Sequence, residues 1–318
     1  MTQSDVNKAN LSEEDYLRKH IEGLERNKQP QNIGGVERIT PVNSLVSDLE
    51  YFTFDVSGLP CGVFYPAGTT IQVRPCQTKE IQAYSMVDDN NLHDIIEKMN
   101  DMLASCVRVK YLNGDVAPYT HVRDQDRFFL IFLIRELTFQ KGNILNTKAT
   151  CSCGNEVSIE FKRENFRFYE TDEKIMKYYD NVNNCFTFKT KQGDVFSVAP
   201  PTIGIQKSFT EWIIKENSQK NKLNMSLLKI IPFMLVGKTS ITFDEIKKEE
   251  KNYQNMDMMS FQFLNDVVSR LTFGIESLAN TCVCGQEVRT PMTFPNGASG
   301  IFLISNPFEQ FKIGRAHV

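Results

Sequence analysis

The sequence predicts an α+β fold of two duplicated halves. Each half runs hairpin, helices, cysteine knuckle and strand, and a four-cysteine, zinc-ribbon-like site joins the two. Three observations lead there. The phrase CSCGNEV at residues 151–157 returns as CVCGQEV at 282–288, using four of the chain's eight cysteines. Two apolar helical stretches end in the same Leu-Thr-Phe, at 137–139 and 271–273. Two hairpin-like stretches leave through the same pattern, Val73-Arg74-Pro75 and Val198-Ala199-Pro200. Between the copies, 125 positions separate Val73 from Val198, 134 separate Leu137 from Leu271, and 131 separate Cys151 from Cys282. Insertions in loops make such offsets drift. Matching elements in one order favour duplication over chance recurrence of short apolar words.

Residues 1–45 are polar and read as a flexible arm with one short helix, Ser12 to about Asn27, whose apolar stripe is thin (Leu17, Ile21, Leu24). Ser12 caps that helix, and Glu13, Glu14 and Asp15 suit its positive end. The first unit spans 46–165. "YFTFDV" alternates as a strand, and residues 63–75 read as a hairpin turning at Ala67-Gly68 and stopped by Pro75. Polar helices follow over 78–87 and 91–107, and 108–120 reads as a turn-rich link around Asn113-Gly114. Asp124 to Phe139 is the strongest helix of this half. After the knuckle, Val157, Ile159 and Phe161 alternate as one face of a strand.

The second unit spans 166–312. Residues 185–202 read as a hairpin turning at Gln192-Gly193, followed by helices over about 203–215 and 225–235. A helix from Met256 to Phe273 sets Met259, Phe263, Leu264, Val267, Val268 and Leu271 on one face. Shifted by 134 positions, all of these but Met259 fall on Phe129, Leu130, Leu133, Ile134 and Leu137. The second knuckle and a strand-like "EVRTPMTF" close the unit.

Composition bounds the function. At 318 residues, 41% apolar and 24% charged, the chain is an ordinary globular sequence of one large or two average domains. A net charge of −3 argues against nucleic acid as the main partner, which calls for a basic face. The polar opening "MTQSDVNKANLSEEDYLRKH" has no signal-peptide pattern. The longest apolar run, "FFLIFLI" at 128–134, falls well short of the roughly 20 residues that cross a bilayer. A soluble protein in a reducing cytoplasm is expected, where thiols and metal sites prevail over disulfides. The closing "IGRAHV" is what a common DNA-library adapter encodes ahead of an in-frame stop. Residues 313–318 are therefore expected to be a sequencing artefact in place of the natural C-terminus.

In a CxC, two sulfurs sit on one side of a tight turn, and the following Gly, free to take positive φ, lets backbone N–H groups point at them. Cys151, Cys153, Cys282 and Cys284 thus supply the four thiolates of one tetrahedral structural Zn²⁺ per chain. Four thiolates leave no open position for water, so such a site staples rather than catalyses. Three other readings stand beside it: disulfides in one of three pairings, a redox pair, and plain turns left from a former metal site. Cys61, Cys76, Cys106 and Cys185 are scattered and read as half-buried thiols; His93 and His121 read as surface or loop residues. Asp124 and Asp126, beside Arg123 and Arg127, read as a solvated helix start. "EIKKEEK" at 245–251 reads as an exposed charged face and Trp212 as packing. GxSxG, HExxH, a phosphate-cradling glycine loop and a Rossmann fingerprint are all absent.

Three words then stand together: "GLPCGVFYPAGTTIQVRPCQTKE" (58–80), "RDQDRFFLIFLIRELTF" (123–139) and the knuckle after them. They resemble the baseplate-hub proteins of T-even-like contractile-tailed bacteriophages. The matching positions are Leu59-Pro60, Phe64-Tyr65-Pro66, Asp126-Arg127, Leu130 and Ile134-Arg135-Glu136. The likeness covers about 50–165 and extends more loosely to about 310. Cys61 departs from the small polar residue of the family, and CxCG is one residue shorter than its CxxCG. The resemblance implies a non-enzymatic structural or assembly protein of a phage tail baseplate hub. It would act in the host cytoplasm during assembly or in the virion baseplate, with baseplate and tail-hub proteins as partners. No nucleic acid, membrane or small-molecule substrate is expected. The alternative is a zinc-ribbon nucleic-acid-binding or transcription-associated factor, whose nearest basic cluster would be Lys162, Arg163 and Arg167.

Overall fold

The computed structural model describes residues 50–139, 145–170, 172–189, 193, 195–221, 223, 225–294 and 297–303. The expected N-terminal helix, Gln192 of the second hairpin turn and residues 313–318 lie outside them. Helices and antiparallel sheets alternate along the chain, so the α+β class holds.

Strand β1 (Phe52–Asp55) pairs with β2 (Thr70–Val73), placing Phe54 opposite Ile71. Between them, 3-10 turns occupy Val56–Gly58 and Gly62–Phe64. The expected hairpin within 63–75 is therefore corrected: Val63 and Phe64 turn rather than pair. The reason is local crowding, since a Cβ on Gly62 would lie 2.2 Å from the Val56 carbonyl oxygen. That stacking of turns sends the Phe64 ring into the core instead of along a strand.

Helix α1 (Thr78–Tyr84) starts at a capping box of Gln77 and Glu80. Helix α2 (Leu92–Cys106), capped by the Asn91 side chain, buries Met99, Met102, Leu103 and Cys106 on one face. The expected link over 108–120 is corrected as well. Strands β3 (Val107–Lys110) and β4 (Val116–Pro118) form a hairpin around Asn113-Gly114 and complete a sheet in the order β1-β2-β3-β4. Val107 and Val109 point inward while Arg108 and Lys110 point out, the alternation of a half-buried strand.

Helix α3 (Arg127–Thr138) buries residues all round and lies inside the protein. Strands β5 (Asn146–Thr150) and β6 (Glu156–Glu160) form the first knuckle hairpin, and β7 (Phe166–Phe168) follows. A single turn, α4 (Glu173–Met176), leads to β8 (Tyr179–Asp180), β9 (Cys185–Lys189) and β10 (Val195–Val198), a sheet in the order β10-β9-β8.

Three helices make a second apolar cluster around Phe209, Trp212, Ile231 and Ile246. They are α5 (Ile203–Ser218), α6 (Met225–Met234) and α7 (Phe243–Gln254). Helix α7 is the charged run at 245–251; a Thr242–Glu245 capping box starts it, and Ile246 is buried. Helix α8 (Met258–Arg270) buries Leu264 and Val267, and Leu271 follows it into the core. Its stripe is narrower than the sequence suggests, for Met259 is 78% exposed and Phe263 39% exposed. Strands β11 (Ile275–Thr281) and β12 (Glu287–Thr290) form the second knuckle hairpin, which β7 extends on the β11 side.

The main core draws on both sides of residue 165. The Phe64 ring meets Phe186 and Phe273 at centroid distances of 5.6 and 5.1 Å. Residues 122–125 pin the same joint with backbone bonds. Asp124 N–H donates to Pro201 O at 2.9 Å, and Ile203 N–H to Val122 O at 2.8 Å. The Arg123 guanidinium reaches Pro200 O at 2.6 Å, and Gln125 both donates to Leu271 O and accepts from Phe273 N–H. Among the described residues, no helix is long and apolar enough to cross a membrane.

Candidate metal centre

The two repeated phrases fold identically. In the first, Cys151 N–H donates to Asn155 O at 2.8 Å and Gly154 N–H to Cys151 O at 2.9 Å. In the second, Cys282 N–H donates to Gln286 O and Gly285 N–H to Cys282 O, both at 2.8 Å. Gly154 and Gly285 take φ of 87° and 84°, the left-handed region that glycine enters without cost. Each phrase is thus the closed tip of an antiparallel hairpin, with both sulfurs gathered at one end.

The hairpins meet crosswise: β6 packs against β11, and β5 against β12. The cysteines follow the same rule. Cys151 Sγ lies 3.6 Å from Cys284 Sγ, and Cys153 Sγ lies 3.6 Å from Cys282 Sγ. The first cysteine of each knuckle faces the second cysteine of the other, as a local two-fold requires. Cys151 and Cys282 are buried, and Cys153 and Cys284 are exposed.

All four sulfurs lie within 4.8 Å of one another. Thiolates about 2.3 Å from a tetrahedral centre stand about 3.8 Å apart, so the cluster has the size of a four-thiolate metal site. A sulfur separation of 3.6 Å is far beyond the disulfide length of about 2.05 Å, and all eight cysteines are free thiols. The electrostatics divide the thiols. The Cys153 backbone N–H, with the neighbouring thiols, draws Cys151 down to about 6. Gln286 N–H pulls Cys284 the same way, but Cys153 and Cys151 outweigh it and push that thiol up to about 12. Packed anions repel, so only a cation in their midst lets all four ionise together. Gln286 Oε1 accepts from Ser152 Oγ and lies 3.6 Å from Cys151 Sγ, tying one knuckle tip to the other.

The remaining sequence candidates are dispersed. Cys61, Cys76, Cys106 and Cys185 are buried rather than half-buried. Cys76 Sγ sits 3.2 Å from Thr138 Oγ1, and Cys106 is packed beside Met102. His93 is exposed, while His121 shares a 2.8 Å bond with Tyr111. Trp212 packs edge-on to Phe209. Lys162 pairs with Glu160, Arg163 with Glu136, and Arg167 with Glu287, so this basic cluster is neutralised within the protein.

The reading of Asp124 and Asp126 as a solvated helix start is corrected. Asp126 is wholly buried; it accepts from Cys61 N–H at 2.8 Å and from Tyr65 Oη at 2.7 Å. Burial drives its carboxyl up to about 7, against the pull of Tyr65, the Cys61 N–H and Arg123. Tyr65 Oη in turn accepts from Arg123 N–H at 2.8 Å. Asp124 is the one that pairs with Arg127, whose Nε also donates to Asn100. The hairpin word and the helix word singled out above therefore meet at Tyr65 and Asp126. Arg135, from the same helix word, donates to Ile301 O at 2.7 Å and ties the turn at Ala298–Phe302 to α3. Compared with family models, with curated proteins and with solved structures, the chain finds no match.

Proposed function

We propose that this chain is a non-enzymatic, zinc-stapled structural or assembly protein of a contractile phage tail baseplate hub. The observation that carries the structural role is the crosswise gathering of Cys151, Cys153, Cys282 and Cys284. One Zn²⁺ there takes all four thiolates, leaving no coordination position for a substrate or water. Zinc suits a compact all-thiolate tetrahedron better than harder cations, which prefer oxygen. The ion clasps segments 131 positions apart, Cys151 to Cys282, and so acts on architecture.

The two identically folded knuckles, each preceded by a helix at whose C-terminal end the chain reads Leu-Thr-Phe, support an origin by duplication of units 46–165 and 166–312. The baseplate assignment rests on the family resemblance. It is supported by the convergence of the resembling words on one buried junction, Tyr65–Asp126 with Arg123. These residues hold strand, turn and helix together. Partners are baseplate and tail-hub proteins, met in the host cytoplasm or in the virion.

The test is capture of the tagged full chain from phage-infected cells. Baseplate and tail-hub proteins are expected to co-purify. Recovery of RNA polymerase subunits, or salt-sensitive retention of nucleic acid, would replace this reading with the zinc-ribbon transcription factor.

A further inference from the structure

We infer that the four thiols are an oxidation site with a fixed pairing: peroxide converts the metal clasp into two crossed disulfides, Cys151–Cys284 and Cys153–Cys282. The metal-release half of this inference rests on the zinc reading above; the pairing does not. Three features carry it. Two sulfur separations of 3.6 Å, Cys151–Cys284 and Cys153–Cys282, run between the hairpins. Each such pair joins one exposed cysteine, Cys284 or Cys153, to one buried cysteine, Cys151 or Cys282. The turn bonds of each knuckle hold its backbone in a closed hairpin tip, whereas the pairs across the two hairpins already stand sulfur to sulfur.

The chemistry follows exposure. An exposed thiolate attacks one peroxide oxygen, the O–O bond breaks, hydroxide leaves, and a sulfenic acid forms. The buried thiolate across the cluster then attacks that sulfur and expels a second hydroxide, leaving a disulfide. Performed twice, four metal-bound thiolates and two peroxide molecules give two disulfides, one free metal ion and four hydroxides. Closing each pair needs an approach of about 1.5 Å, within the reach of side-chain rotation. The hairpins that the metal holds together thus stay joined after it leaves. A protein carried from a reducing to an oxidising compartment keeps the same cross-connection in both.

The experiment uses the full metal-loaded chain, graded hydrogen peroxide and a catalase quench. Digestion without reduction followed by mass spectrometry reads the links, and a chromophoric chelator reads released metal. Expected are linked peptides Cys151–Cys284 and Cys153–Cys282, reversed by dithiothreitol, with one ion released per two disulfides. Links within a knuckle, Cys151–Cys153 or Cys282–Cys284, overturn the pairing. So does oxidation of Cys61, Cys76, Cys106 or Cys185 ahead of the knuckles. Crossed links without metal release uphold the pairing and refute the zinc reading instead.

Discussion

Asp126 is a wholly buried carboxylate-bearing side chain that accepts from Cys61 N–H and from the Tyr65 hydroxyl. Its folded carboxyl titrates near 7, well above an unfolded aspartate at about 3.9. Between those values the folded state binds the proton that the unfolded state has lost. The contribution of this group is therefore full below about pH 4 and declines as pH rises toward 7, with a slope approaching 1.4 kcal/mol per pH unit. Urea unfolding at pH 5 and pH 7 should show this slope, and D126N should abolish it; an unchanged slope in the variant would remove Asp126 as its source. D126A strands two buried donors and should cost about 2–4 kcal/mol. None of this is legible in the sequence. "DQDR" reads as a charged helix start in water, and only the fold of Gly62–Phe64 brings Cys61 and Tyr65 over it.

At the scale of elements, the knuckles and the turn at Gly62 make opposite demands on glycine. Beyond Gly154 and Gly285 lies open space, so replacing either with Ala meets no clash and costs only the positive-φ strain, about 1 kcal/mol each. Gly62 takes no such strain, but its Cβ would strike the Val56 oxygen, so G62A should cost more than either knuckle variant. Thermal unfolding of the three variants ranks them, and a G62A as mild as G285A would contradict the crowding argument. The knuckles were legible because Cys and Gly at fixed spacing have few other uses. The β3–β4 hairpin was not, although Asn113-Gly114 marked its turn: strands of four and three residues give too few alternations to stand out. Val63 and Phe64 misled because aromatic and β-branched residues favour strands, while a neighbouring backbone contact decided otherwise. Helix α7 carried a readable capping box, but its surface charge hid the one buried Ile246.

At the scale of the whole molecule, two different joints hold the chain together. One is the core joint, where Phe64 packs on Phe186 and Phe273 and residues 122–125 bond to 200–203 and 271–273. The other is the cysteine clasp between the two knuckle hairpins. The core joint needs no metal, so chelation should lower the melting temperature, on the order of 10 °C for a loss of several kcal/mol, while leaving far-UV circular dichroism near native. Complete loss of helical signal on chelation would place the whole fold under metal control instead. The central claim is that both knuckles serve one ion. Elemental analysis of the purified chain tests it most directly: one zinc per chain is the predicted result, falling to none in the paired C151S and C282S variant. Two zincs per chain, or none in the intact protein, would contradict it.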